Sequence, residues 1–111
     1  MPLLVVNAYK LAEVPAGYTP VYVGRRRSYR PEFGDDFSLL GNPYTLRSGY
    51  TRDQAVDLYA PWLERAPSHV RRALDVLRER VRTERVALVC FCHPQRCHAD
   101  VIKTELEGGV A

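Results

Sequence analysis

The run Val86-Ala87-Leu88-Val89-Cys90-Phe91 has no polar residue in it. A strand with one face in water alternates apolar and polar side chains, so an unbroken run of this length predicts a strand covered on both faces. Such a strand belongs in the middle of a sheet. A chain of 111 residues has material for one such sheet and the layers that cover it, so we expect a single domain over 1–111.

The flanking segments supply the rest of the expected architecture. Leu3-Leu4-Val5-Val6 reads as a buried strand, and Val21-Tyr22-Val23, closed by Gly24, as a second. Between them, Pro15, Gly17 and Pro20 mark a loop. From Gly24 to Tyr50 neither the helical nor the strand period persists, and a loop of that length is commonly a functional one. Thr51 with Gln54 forms a capping-box pattern, after which Ala55, Tyr59, Trp62 and Leu63 keep a helical period. Pro67-Ser68 breaks that helix and offers a cap to the next, whose stripe is Val70, Ala73, Leu74, Leu77 and Val81. A third helix is expected from Cys97 to Leu106, stopped by Gly108-Gly109. Strands joined by helical crossovers predict an α/β fold, Rossmann-like, with a partly parallel sheet of three or four strands and three helices.

Composition narrows the function class. A hydrophobic share of 46% and a charged share of 26% are globular averages and exclude a mainly disordered chain. Three cysteines are an odd number and too few for a disulfide framework, which points to a reducing, cytoplasmic setting. The apolar stretch from Pro2 to Val6 is too short for a signal-peptide core or a membrane span, so no membrane partner is expected. The net charge of +3 is mild for a dedicated nucleic-acid binder. Only Lys10 and Lys103 among the 16 basic residues are lysines. Arginine suits bidentate phosphate contacts, and a GC-rich bacterial or phage genome also enriches it.

The densest chemistry is the stretch Cys90-Phe91-Cys92-His93-Pro94-Gln95-Arg96-Cys97-His98-Ala99-Asp100, where the central strand passes through a tight loop into a helix. In α/β sheets that end of a strand is where ligands bind. Several readings compete. Cys90, Cys92, Cys97 and His98 could supply soft ligands to zinc, although Cys97 and His98 would point about 100° apart on a helix. Cys97 could be a thiolate nucleophile activated by a helix N-terminus, with His93 or His98 as base and Asp100 orienting it. Cys90 to Arg96 also has the cysteine-to-arginine spacing of a phosphatase loop, without its glycine or hydroxyl residue. Helix amides with Arg96 and His98 could instead hold an anion. Cys90, inside an apolar strand, reads as core.

Two further elements carry polar chemistry. Gly24-Arg25-Arg26-Arg27-Ser28-Tyr29-Arg30 begins at a strand end and reads either as an anion grip or as a solvated charge run. Gly41-Asn42-Pro43 is a turn in which Asn42 offers both a donor and an acceptor to a base edge. Arg52 stands at a helix start, where the dipole disfavours a cation, and a residue that breaks a local rule points to a contact elsewhere.

Cys90-Phe91-Cys92, Pro94 and Cys97-His98-Ala99-Asp100-Val101-Ile102 together resemble the C-terminal signature of domain-of-unknown-function family 4326. That signature is Cys-aromatic-Cys, a proline, then Cys-His-Gly-Asp and two aliphatics. Tyr22-Val23-Gly24-Arg25 resembles the family's strand-then-Gly-Arg element, and Gly41-Asn42-Pro43-Tyr44 its Gly-Asn-Pro-aromatic element. Arg52, Tyr59 and Trp62-Leu63 resemble its first helix, so the likeness spans residues 21–106. Ala99 stands where the family has glycine, the stretch from Arg26 to Leu40 is longer than its pattern, and Arg96 is outside the pattern. The Cys-His ending is also similar to that of family 488, again of small α/β proteins. The resemblance implies a fold and a site and brings no established reaction.

These residues imply a site for a phosphate-containing or nucleobase small molecule. Cys97, His98 and Asp100 are the catalytic candidates, for hydrolysis or group transfer. Gly24, Arg25, Ser28, Gly41, Asn42, Arg52 and Cys92 are the ligand-binding candidates. Two alternatives stand beside it: a nucleic-acid module using Arg25 to Arg30, and an interaction protein stapled by zinc at Cys90, Cys92, Cys97 and His98.

Overall fold

The computed structural model describes residues 3–108. Strands β1 (Leu3–Asn7), β2 (Tyr18–Tyr22), β3 (Asp35–Asp36) and β4 (Arg85–Cys90) form one wholly parallel sheet in the order β1-β4-β2-β3. Helices α1 (Arg52–Glu64), α2 (Ser68–Thr83) and α3 (His98–Gly108) complete an α/β fold. Among the described residues, no helix is long and apolar enough to cross a membrane.

The apolar run lies where its composition requires, as the strand between β1 and β2. Its register pairs Leu3 with Val86 through Asn7 with Cys90 on one side, and Tyr18 with Arg85 through Tyr22 with Val89 on the other. Because β1, β4 and β2 run the same way, Asn7, Cys90 and Tyr22 end at one edge.

The pleat then sorts β4 residue by residue. Val86, Leu88 and Cys90 pack under the three helices, together with Leu3, Val21, Val23 and the stripes of α1, α2 and α3. Ala87 and Val89 face the other way, against Val6, Tyr22, Phe33 and Phe91. Among the described residues no α-helix covers that second face. Its cover is made of short 3-10 turns at 8–13 and 31–33, with Leu11, Val14, Tyr29 and Phe33 pressed onto the sheet. Each fully buried Val, Leu or Phe on either face contributes about 1.5–3 kcal/mol.

Several boundaries differ from expectation for identifiable reasons. β2 starts at Tyr18, because Tyr18 and Thr19 pair with Arg85 and Val86 although prolines flank them. β3 is two aspartates held by register with Val21 and Tyr22, and two residues carry no period. The capping box of α1 is present, with Gln54 N–H donating to Thr51 Oγ1 at 3.1 Å and Thr51 N–H to Gln54 Oε1 at 2.9 Å. Ser68 does not cap α2: Pro67 holds the cap position and has no side-chain acceptor to offer. Helix α3 begins at His98, which leaves Cys97 just outside it. Gly109, expected to stop that helix, lies outside the described residues.

Candidate functional site

The carboxyl edge of the sheet opens into a cavity of about 760 Å³. Gly24, Arg25, Ser28, Asn42, Arg52, Cys92, Cys97 and His98 all line it, so four separated segments of sequence meet there. Gly41, Cys90 and Asp100 do not line it.

Tight backbone packing brings the segments together. A Cβ at Gly24 would lie 2.5 Å from Tyr22 Oη, and one at Gly41 would lie 3.0 Å from the Gly24 carbonyl. The two glycines let the turn after β2 and the Gly-Asn-Pro turn touch. Tyr22 Oη donates to the Arg25 carbonyl at 2.6 Å and fixes the start of the arginine loop. The Asn42 amide is engaged internally: it donates to the Ala55 carbonyl at 3.0 Å and accepts from Tyr44 N–H at 2.9 Å. It ties its turn to α1, so the expected base-edge contact competes with bonds already made. Asn7, at the end of β1, donates to the His93 carbonyl at 2.8 Å and anchors the loop after β4.

The turn into α3 is built by its own cysteine and aspartate. Cys97 N–H donates to Asp100 Oδ2 at 3.1 Å, while Cys97 Sγ accepts from Ala99 N–H at 3.5 Å. That is the reciprocal logic of a helix cap. Asp100 is therefore placed by the helix end, and its hydrogen bond goes to Cys97 rather than orienting His98. His98 Nε2 lies 2.7 Å from the Val23 carbonyl, an acceptor only, so Nε2 carries the proton and Nδ1 faces Cys97 Sγ at 3.5 Å. Burial lowers the His98 pKa, assisted by Arg25 and opposed by the Val23 bond and Asp100, so the ring is neutral.

Alternation along β4 also explains the thiols. Cys90 and Cys92 project to the helix face, and the chain returns over them at Cys97. Cys90 and Cys97 are both in the buried layer under the helices, with Cys92 packed against it. Sharing with Cys90 and Cys92, together with burial, raises the Cys97 thiol, which reverses the lowering expected from a helix N-terminus. Cys97 is 2% exposed and Cys90 is 1% exposed. Cys92 is the accessible member. Its thiol is lowered to about 6, first by the Cys97 S–H and then by Arg52, with Arg25 adding positive charge and burial opposing. Cys92 lines the cavity together with Arg25 and Arg52. Among the described residues no three His, Cys, Asp or Glu side chains are grouped so as to hold a metal ion.

Arg96, the arginine of the phosphatase-like spacing, is turned onto α1, with contacts of 3.0 Å to Asp53 and 2.7 Å to Asp57. Its partner in that spacing, Cys90, is buried. The cavity's remaining arginines, Arg25, Arg27, Arg30 and Arg52, make no ion pair among the described residues, and Glu32 is the one carboxylate in the lining.

The cavity also has an aromatic side that sequence reasoning missed. Tyr9, 83% exposed, meets the Phe91 ring edge-on at 5.3 Å, and Phe91 packs on Phe33 at 5.7 Å. Phe91 had a readable signal: it stands between two cysteines, and alternation puts it on the opposite face from them. Tyr9 gave none, since its role follows from a 3-10 turn that no period announces.

No curated protein and no solved structure matches the chain at a significant level. The family model described as a domain of unknown function (DUF4326) matches residues 6–108, from the first strand to the last helical turn, and the chain belongs to that family.

Proposed function

We propose that the cavity binds a small anion with an aromatic body, a phosphate-bearing nucleotide or nucleobase derivative. The observation that carries this reading is a cavity presenting Arg25, Arg27, Arg30 and Arg52 without ion-pair partners among the described residues, together with the Tyr9 and Phe91 rings. Guanidinium forks match phosphate oxygens, and a base stacked on an aromatic ring gains about 1–3 kcal/mol. A volume near 760 Å³ falls in the range of small-molecule sites. Gly24 and Ser28 would meet the phosphate beside Arg25, while Asn42 and Gly41 hold their wall in place.

A thermal-shift panel of nucleoside phosphates, free bases and inorganic phosphate tests the reading. A phosphorylated compound should raise the melting temperature. Arg25→Ala and Arg52→Ala should each weaken its binding by roughly tenfold to a hundredfold, the worth of a hydrogen bond to a charged group. A flat panel, or variants that bind like the wild type, would refute it.

A nucleic-acid reading draws on Arg26, which is exposed and outside the cavity lining, beside exposed Arg25, Arg27 and Arg30. It requires affinity for a single-stranded probe that falls with salt by about one log–log unit per phosphate contact. A hydrolytic or group-transfer step at Cys97 draws on its 3.5 Å approach to His98 Nδ1. The burial and raised pKa of that thiol weigh against it.

A further inference from the structure

The cavity holds one group for which a phosphate alone gives no use. Glu32 is a carboxylate in a lining that also carries Arg25, Arg27, Arg30 and Arg52, and among the described residues it forms an ion pair with none of them. A negative charge in a phosphate site weakens the hold on the phosphate, so this carboxylate needs a different partner. Its backbone is fixed. Glu32 lies in the 3-10 turn 31–33, where Phe33 N–H donates to the Arg30 carbonyl at 2.9 Å and Gly34 N–H to the Pro31 carbonyl at 3.1 Å. Tyr29 Oη donates to the Gly34 carbonyl at 2.6 Å. Gly34, at φ +95°, lies so close to the Pro20 carbonyl that a Cβ would collide with it.

The same turn sets Glu32 beside the rings. Phe33, the next residue, is buried against Tyr22 at 5.4 Å and Phe91 at 5.7 Å, and Phe91 meets Tyr9 at 5.3 Å. Phe33 anchors the turn to the sheet, while Glu32 is exposed and lines the cavity. A base stacked on Tyr9 and Phe91 thus has an acceptor-only group for its edge. Two carboxylate oxygens are best matched by two adjacent donors. Guanine presents them, as N1–H and the N2 amino group. Adenine and cytosine each set a ring-nitrogen acceptor beside their amino donor, and uracil flanks its single N–H with two carbonyls.

We propose that Glu32 selects guanine, so that the ligand of this cavity is a guanine nucleotide, held by its phosphate at the arginines and by N1–H and the N2 amino group at Glu32. The proposal rests on the nucleotide reading above and narrows it to one base. Both bonds to guanine are charge-assisted, whereas adenine or cytosine would turn an acceptor lone pair toward the carboxylate. Loss of a hydrogen bond to a charged group weakens binding roughly tenfold to a hundredfold, which sets the scale of the discrimination. The ribose diol is the other part of a nucleotide with two adjacent donors. The place of Glu32 beside Phe33 and Phe91, where a base would stack, favours the base over the sugar.

Isothermal titration of the full-length protein with guanosine, inosine, adenosine and 2′-deoxyguanosine monophosphates tests it. Guanosine monophosphate should bind at least about tenfold more tightly than adenosine monophosphate. Inosine monophosphate, which lacks the N2 amino group, should fall between them, and the deoxy form should match guanosine monophosphate. Glu32→Gln should bring the guanosine-to-adenosine affinity ratio close to unity. The ratio is the readout, because removing a negative charge strengthens phosphate binding for every nucleotide alike. Equal binding of the guanosine and adenosine compounds by the wild type would overturn the proposal and leave the phosphate reading standing. A guanine preference that survives Glu32→Gln would overturn it as well. So would weak binding of the deoxy form, which would put Glu32 on the ribose. If none of the four nucleotides binds, the proposal falls together with the nucleotide reading.

Discussion

The two faces of the sheet are built from the same strands and use them differently. On the helix face, Val86, Leu88 and Cys90 sit under α1, α2 and α3 in a continuous apolar layer, and the chemistry added there is sulfur. On the other face, Ala87, Val89 and Phe91 meet 3-10 turns and a group of aromatic rings, Tyr22, Phe33 and Tyr29, with the arginine loop above them. One strand thus carries cysteines to one side and a phenylalanine to the other. The faces meet only past its carboxyl end, where the cavity lies. The comparison separates two kinds of group around the cavity: sulfur on the helix face, and aromatic rings on the turn-covered face.

That separation can be broken by paired substitutions. Leu88→Ala removes a fully buried side chain in the middle of the helix face and should cost about 3 kcal/mol by urea denaturation. Phe91→Ala, on the partly exposed rim, should cost less stability and should weaken any stacked ligand more than Leu88→Ala does. If Leu88→Ala lowers affinity as strongly as Phe91→Ala, the two faces do not divide the work.

A smaller change sharpens the comparison on the turn side. Tyr22→Phe keeps the ring stack with Phe33 at 5.4 Å and deletes the hydroxyl that holds the Arg25 carbonyl at 2.6 Å. The expected loss is about 1 kcal/mol of stability, with a larger fall in affinity for a phosphate-bearing ligand. Equal affinity in Tyr22→Phe would mean that Arg25 is placed by something other than this bond. Thr51→Ala should also cost about 1 kcal/mol through loss of the α1 cap, and should leave Tyr22-dependent binding untouched.

The two faces also differ in how legible they were. The helix face could be read because its elements are long enough to show a period: Val70, Leu74, Leu77 and Val81 are all buried as their spacing requires. That Cys90 and Cys92 share one face follows from alternation along β4, yet the sequence pointed to Cys97 as the activated thiol. A thiol beside a helix N-terminus was expected to be activated, and burial with S–H sharing overrides the dipole at Cys97. The turn face was opaque. Its cover is the 3-10 turns at 8–13 and 31–33 among short irregular stretches, none of which has a repeat to detect. Arg25 and Gly24 were found there through the family resemblance and the glycine signal. Tyr9 was missed, because an exposed aromatic in a turn looks like any other surface residue until the fold places it beside Phe91.

The finest probe is pH, because two titrating groups of the helix face, His98 and Cys92, line the cavity where the faces meet. His98 reaches from α3 to the Val23 carbonyl, with Tyr59, Cys97, Arg25 and Asp100 around it. Its folded pKa lies below the unfolded value near about 6.5. Its contribution is therefore fully present above that value and is lost as pH falls below it. Cys92 has a folded pKa of about 6, below its unfolded value of 9.0, with Arg52, Arg25, Cys97 and Cys90 facing it. Its contribution is present above 9 and is lost as pH falls toward 6. Both effects lower stability on acidification, in windows that barely overlap. Cys92→Ser should flatten the melting-temperature profile above pH 6 and leave the acid limb, while His98→Gln, which keeps an N–H for Val23, should flatten only the acid limb. A single variant that removes both limbs would show that the thiols and the imidazole titrate as one unit.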